Sequence, residues 1–406
     1  MAALIPFRAL RPRSSDAAHV AAVPYDVVSA GEAKALAVGN PLSFLRVSRA
    51  EIELPPGTNP YGDEVYARAK ENFTRLKDGA MLLENEPSLY FYRLRMGPHE
   101  QVGVAACFSL DEYDRDVIKK HERTRADKED DRTRHMIALG AQTGPVFLTY
   151  RASSAVDSTA RQVMDGEPLY DFDAPDGVRH TLWKVPAGET AGLVEAFNRI
   201  PALYIADGHH RAASAARARA HVQADDALAD GAGAGTVLAV AFPHDQVQIL
   251  PYNRVVKDLG KLSPAAFVEA LREHFAIDPG PPSPARRGEI AMYFQGEWRT
   301  LRPRARPDSH DAIGSLDVSV LQDRLLSPIL GIVDVRTDKR IDFVGGARGT
   351  AELQRLVDAG QAAAAFSLFP VSVADLMAVS DAGAIMPPKS TWFEPKLRDG
   401  LLIHMI

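Results

Sequence analysis

The sequence predicts an α+β fold with mixed sheets, on three observations. Hairpin signals outnumber β-α-β signals. Strand and helix patterns interleave along all 406 residues. No internal repeat, heptad pattern or low-complexity tract imposes another architecture. This length suits two or three domains, or one core with elaborations.

The elements follow in order. Ile5 to Leu10 has the apolar content of a short strand, and Gly31 to Val38 that of a short helix. Val65, Ala69, Phe73 and Leu76 fall at helical spacing, so Glu64 to Lys77 predicts a helix with Gly79 as its stop. Leu89 to Met96 and Gln101 to Leu110 read as a hairpin turning over Gly97-Pro98-His99-Glu100. Val146 to Tyr150 is a strand. Leu169 to Phe172 and Val178 to Val185 flank Asp176-Gly177, a second hairpin signal. Ala202 to Ala206 reads as a short buried strand, and Ala212 to Arg219 is strong helix-forming sequence. Asp225 to Gly235 reads as an Ala/Gly/Asp loop. Thr236 to Phe242 and Val247 to Leu250 look like paired strands. Beyond them come a helix over Pro264 to Phe275 and a hairpin over Ala291 to Phe294 and Trp298 to Leu301. Helices over Val318 to Leu330, Thr350 to Ala359 and Val373 to Val379 follow, with strands near Ile341 and Phe366. A boundary in the region 225–260 divides a core, 1–235, from a C-terminal α+β portion, 236–406.

Bulk properties exclude several classes. The net charge is −6 with no long basic block, which argues against a general nucleic-acid binder. Cys107 is the single cysteine, so no intrachain disulfide forms; its surroundings, Val102 to Phe108, suit a small core residue. No apolar h-region opens the chain and no apolar stretch is long enough to span a bilayer, so a cytoplasmic protein is expected. The oligomeric state is open, with a homodimer as one option.

Asp207-Gly208-His209-His210-Arg211 carries the most chemistry. It joins the strand 202–206 to the helix beginning near 212. A helix start aims free N–H groups outward, which suits an anion, and Arg211 adds a fork that matches phosphate. A second polar run spans Lys119 to His135. Taken alone, it suits a solvated charged helix as well as it suits a cradle for a polyphosphate and a metal ion. Val23-Pro24-Tyr25-Asp26-Val27-Val28 reads as a rigid turn, with a buried Tyr25 as the plain reading. Met386 to Lys396 holds aromatic, cationic and hydroxyl residues between prolines, and either covers a ligand or caps the fold. Other chemistries lack their signatures: there is no HExxH, no zinc cysteine set, no Walker A motif and no Gly-x-Ser-x-Gly elbow. Gly231 to Gly235 has the glycines of a phosphate loop without the Lys-Ser/Thr that should follow.

The box Asp207 to Arg211 resembles the signature of ParB/sulfiredoxin-like proteins, specifically the free-serine kinases. A longer pattern is similar to the bacterial domain-of-unknown-function 1015 family. It comprises Pro6 to Pro12, Pro24 to Val28, Asn40 to Leu45, Lys119 to Thr124, Gln142 to Val146 and the segment Pro387 to Lys396. The resemblance implies a ParB/sulfiredoxin-like nucleotide-binding core with large insertions. It implies phosphoryl transfer from ATP, ADP or pyrophosphate to free L-serine, giving O-phospho-L-serine, with Mg²⁺ accompanying the nucleotide. The alternative is a ParB-like regulatory module that binds nucleotide without turnover. A sulfiredoxin-like redox enzyme would need a cysteine where His209 and His210 stand.

The roles this implies are as follows. Gly208, Arg211, His209, His210 and the following helix N–H groups bind phosphate. Asp207 orients an imidazole or helps hold Mg²⁺. Glu122 is the candidate base. Glu32 is its rival, because insertions break the spacing to the Glu that lies upstream of the box in serine kinases. Lys119, His121, Arg123, Thr124 and Arg125 meet the donor, and Tyr25, Asp26 and Ser43 line the acceptor pocket.

Overall fold

The computed structural model describes residues 2–224, 233–305, 308 and 311–406. By packing, the chain forms two units. The first comprises Met1–Lys120, Thr124–Val247 and Pro395–Ile406; the second comprises His121–Arg123 and Gln248–Glu394. The α+β class with mixed sheets is as expected.

The first unit is built on a nine-stranded sheet. Its main path runs Ile118–Lys119, Leu203–Asp207, Val146–Tyr150, Thr236–Pro243, His99–Ser109, Tyr90–Met96, Val178–Lys184, Tyr170–Asp173, and Leu4–Ile5 adds to His99–Ser109. Thr236–Pro243 lies parallel to Val146–Tyr150, and Leu203–Asp207 parallel to Ile118–Lys119; the other pairs are antiparallel. Thr236–Pro243 is buried throughout, as suits a strand with neighbours on both sides and packing on both faces.

Over one face lies the helix His209–Ala224, whose Ala212, Ala215 and Ala218 recur every three residues and are buried in the core with Leu148, Leu203 and Ile205. Alanine at those positions allows close approach of helix and sheet. The helix Ala126–Leu139 packs beside it. Arg217 pairs with Asp130 at 2.5 Å, and the Ser214 hydroxyl donates to the Glu129 carbonyl at 3.1 Å. A second core gathers Val65, Ala69, Phe73 and Leu76 of the helix Asp63–Ala80 with Phe44 and Val47. A four-stranded sheet, Met81–Leu83, Ala9–Pro12, Ile403–Met405 and Ala141–Gln142, ties the two chain ends together.

The second unit holds a six-stranded antiparallel sheet ordered Phe275–Pro279, Glu297–Pro303, Ile290–Phe294, Ala364–Leu368, Tyr252–Val256, Ile341–Gly345. Helices Pro264–His274, Gly349–Asp358 and Val373–Asp381 belong to the same unit.

Several expectations are corrected. Gly79 does not stop its helix, which runs through Ala80 before Met81 turns extended. The hairpin turn is only Gly97-Pro98, because Met96 already faces His99 and Gly97 takes φ 57°. Gln248–Leu250 pairs with Trp392–Glu394 rather than with Thr236–Pro243, so a distant segment outcompetes the local hairpin. The helix expected over Val318 to Leu330 is short, Asp317–Leu321, and widens into a π-helical turn over Gln322–Leu326. Of the loop expected over 225–235, residues 225–232, which include Gly231 and Ala232, lie outside the described residues; 233–235 form a turn closed by Thr236 N–H on the Gly233 carbonyl.

Candidate functional site

The box lies at a bulge. Leu203–Asp207 and Val146–Tyr150 shift register between Ile205 and Asp207, and such a bulge re-aims the strand end. Gly208 then takes φ 95°, and its carbonyl accepts the Ala212 N–H at 3.0 Å, so the helix begins at His209. A Cβ at 208 would stand 2.9 Å from Arg211 Nε, so glycine is required both by dihedral and by space. The helix starts three residues earlier than its alanines suggest, and both histidines occupy its first turn. His209 is buried and His210 half-buried, the divergence expected of adjacent residues.

Arg211 folds back over Gly208 instead of pointing into solvent. Its guanidinium donates to the Pro145 carbonyl and lies 3.7 Å from Asp207 Oδ2. Its Nε is buried and has no hydrogen-bond partner among the described residues. Lys396 Nζ, from the C-terminal segment, donates to Asp207 Oδ2 at 3.2 Å. Burial alone would raise the Asp207 pKa. Lys396, Arg211 and His209 outweigh it and hold the carboxyl well below the usual range. Burial likewise opposes the charge of Arg211, and Asp26, Asp207 and Asp399 more than restore it.

Tyr25 belongs to the same electrostatic group. It sits in the expected turn, closed by Val27 N–H on the Pro24 carbonyl, and is buried. Arg132 lies over its ring at 4.0 Å, a cation–π contact worth ~0.5–2 kcal/mol. Arg132 in turn pairs with Asp131 at 2.7 Å, and Tyr66 donates its hydroxyl to Asp131 Oδ1 at 2.8 Å. Asp399 completes the group. Its backbone exchanges hydrogen bonds with Ala22, at 2.9 and 3.2 Å, and Gly400 N–H reaches the Thr143 carbonyl at 3.1 Å. Burial pushes the Asp399 carboxyl up to about 7 despite Arg211, Arg132 and Arg398, with Asp26 adding repulsion.

The family model described as "Protein of unknown function (DUF1015)" matches residues 4–319. The chain belongs to that family. Among curated proteins none matches the chain in sequence. Solved structures similar to this DUF1015 protein include a free serine kinase in complex with AMP, at 16% identity and TM-score 0.37, over 73% of this chain and 92% of that one. SbnI from Staphylococcus aureus, truncated at its C-terminus, is similar at 14% identity and TM-score 0.40, over 74% and 87%. A conserved hypothetical protein from Pyrococcus furiosus matches at 15% identity and TM-score 0.35, over 74% and 95%.

The first unit of the DUF1015 chain gathers Tyr25, Asp26, Asp207, His209 and Arg211, all expected from the sequence, into one electrostatic group, with Gly208 against the Arg211 guanidinium. His210 Nε2 accepts the Arg125 backbone N–H at 3.1 Å, which leaves Nδ1 to carry the ring proton. The Arg125 guanidinium is exposed and pairs with Asp127 at 2.8 Å, so Arg125 meets the box through its backbone. Thr124 donates its hydroxyl to Glu129, and Lys119 pairs in register with Tyr204 on the strand leading to the box. His121, Glu122 and Arg123 pack with the second unit, where the His121 carbonyl accepts the Met386 N–H at 2.8 Å. Glu32 closes a capping box with Ser29 on an exposed helix. Ser43 is buried, and among the described residues no hydrogen bond joins its side chain to the Arg211 group.

Asp131, Arg132, Lys396 and Asp399 join the group without an individual role expected for them, although the first two lie in the run Lys119 to His135 and Lys396 ends the segment Met386 to Lys396. The signal for the last two was charge inside an apolar run: Lys396, Arg398 and Asp399 interrupt Leu397, Leu401, Leu402 and Ile403. The donor set does not suit a protein-held Mg²⁺. Asp207 Oδ2 already accepts from Lys396 with Arg211 beside it, and among the described residues no three His, Cys, Asp or Glu side chains are placed to hold a metal ion.

No helix among the described residues is long and apolar enough to cross a membrane.

Proposed function

We propose that the protein is a small-molecule kinase. It moves a phosphoryl group from ATP, ADP or pyrophosphate to the hydroxyl of free L-serine and releases O-phospho-L-serine. The observation that carries this reading is the box itself: a bulged strand end, Gly208 at φ 95°, and a 16-residue helix that opens with two imidazoles over an enclosed guanidinium. Free N–H groups at a helix start favour an anion, and the positive end of the helix adds to Arg211 and Lys396. Phosphoryl transfer needs positioning and charge neutralisation more than covalent chemistry. The likeness of Asp207 to Arg211 to the serine-kinase signature supports serine as the acceptor, and the core as ParB/sulfiredoxin-like.

In this reading His209, His210 and the first helical N–H groups meet the donor phosphates, and Arg211 supplies fixed positive charge beneath them. Tyr25 and Asp26 face the acceptor. A carboxylate, for which the sequence offers Glu122 and its rival Glu32, takes the serine proton as the new O–P bond forms and the donor P–O bond breaks, with the electron pair leaving on the donor. Mg²⁺ accompanying the nucleotide, as the resemblance implies, would neutralise charge on its phosphates.

The test is to incubate the full chain with Mg²⁺, L-serine and each donor in turn. Phosphoserine is the expected product, and its absence with all three donors overturns the reading. Nucleotide binding without product would return the regulatory-module alternative. Glu122→Gln should lower kcat by roughly 10²–10⁴-fold with KM little changed; an unchanged kcat removes Glu122 from that role.

A further inference from the structure

The carboxylates around Arg211 pose a problem for any site that must receive an anion. Arg211 is answered by Asp26, Asp207 and Asp399, so a phosphate group arriving there adds negative charge where the cation is already compensated. Asp207 cannot relieve this by protonation, because Lys396 and Arg211 hold it ionised. Asp399 can. It is 3% exposed, and its Oδ1 has no hydrogen-bond partner among the described residues. That oxygen lies against Gly144, where a Cβ would stand 2.4 Å away, so the chain keeps a glycine to make room for it. Its backbone bonds to Ala22, and that of the adjacent Gly400 to Thr143, fix the residue in place.

We propose that Asp399 is a ligand-binding residue of the Arg211 site: it takes up one proton when a phosphate-bearing ligand binds, and donates that hydrogen to a phosphate oxygen. The inference rests on the anion-binding part of the function proposed above. Two buried atoms support it independently, the orphan Oδ1 of Asp399 and the orphan Nε of Arg211, because buried polar groups without partners are rare and costly. The groups that set its charge are Arg132 on Ala126–Leu139, Asp26 in the turn after Pro24, Arg211 on His209–Ala224 and Arg398 on its own segment. Tyr25 and Asp131 belong to the same group through Arg132, and Asp207 through Arg211. The carboxyl already titrates at about 7, so a nearby dianion drives it to the protonated form. The sign follows from linkage: a site that gains a proton on binding loses affinity as pH rises, by up to about tenfold per pH unit for one proton.

The test is calorimetric titration of the full chain with ATP, and separately with inorganic pyrophosphate, in buffers of different ionisation enthalpy near neutral pH. Wild type should take up more protons per ligand than Asp399→Asn, and the variant should lose most of the fall in affinity between about pH 7 and pH 8. Equal proton uptake in the two proteins overturns the proposal while leaving the kinase reading intact. Binding of neither probe at any pH overturns both. Should Asp399→Asn fail to fold, wild type alone decides, since a binding enthalpy independent of the buffer rules out proton uptake.

Discussion

Arg211 and Arg254 are both enclosed guanidinium groups, one in each unit, at 5% and 2% exposure. Arg211 faces carboxylates: Asp26, Asp207 and Asp399 keep its charge strongly favoured against burial. Arg254 faces backbone carbonyls. It donates to Tyr252, to Pro388 at 3.3 Å and to Lys389 at 3.0 Å, and lies over the Phe343 ring at 5.5 Å. Burial pushes it down to about 10, with Tyr252 opposing only weakly. It remains charged at neutral pH and staples the turn at Lys389, a non-glycine residue at φ 59°. The difference teaches that burying an arginine says little about its work. One cation answered by carboxylates forms a polarisable group that responds to protons and ligands. One answered by carbonyls is a mechanical tie.

The largest effect that could break this comparison is Arg211→Met. It leaves Asp26, Asp207 and Asp399 without their common partner and should destabilise the first unit by roughly 3–5 kcal/mol near neutral pH. Part of the loss should return as pH falls and Asp399 protonates. Arg254→Met leaves carbonyls that lose one donor each, at about 1–3 kcal/mol, with no such pH dependence. Urea unfolding across pH measures both, and equal, pH-independent losses would erase the distinction.

Asp399→Asn sharpens the first half. The folded carboxyl titrates at about 7, above the ordinary value of 3.8, so the folded state binds the extra proton between them. Wild-type stability therefore falls as pH rises through that window, and the cost is fully present above it. The asparagine should be about 1–3 kcal/mol more stable than wild type above neutral pH, and gain nothing below the ordinary carboxylate range. Asp207 has the opposite sign: its depressed carboxyl contributes stability above the ordinary range, lost as pH falls below it. Gly208→Ala forces a side chain into φ 95° against the guanidinium, for about 1–3 kcal/mol by thermal unfolding. The smallest effect marks the background: Lys128, which reaches the partly exposed Tyr61 hydroxyl at 2.8 Å, should cost at most about 0.5 kcal/mol when replaced by alanine.

Much of the fold was legible because its signals are local. Helical spacing found Asp63–Ala80, and turn residues found the hairpins Tyr90–Ser109 and Ile290–Pro303. Gly79 misled because one glycine inside a well-packed helix costs only about 1 kcal/mol, less than Leu76 and Ala80 recover by burial. Gln248–Leu250 misled because nothing in a strand of three residues names its partner. At the site, the strand, the glycine turn and the helix start were readable from 202–219. Arg132 hid in a charged run where most neighbours are surface ions, and only burial separates it from Arg125.

By itself the sequence determined the local chemistry: a strand, a glycine turn at Gly208 and a helix following it, two imidazoles and a guanidinium at that junction, and a turn presenting Tyr25 and Asp26. These depend on dihedral preference and hydrogen bonding within a few residues. The tertiary structure decided where the charges go. It brought Lys396 and Asp399 from nearly 200 residues away in the chain and turned Arg211 inward onto the Pro145 carbonyl. Electrostatic surroundings are set by distance in space and by exclusion of water, and neither is written in the order of residues along the chain.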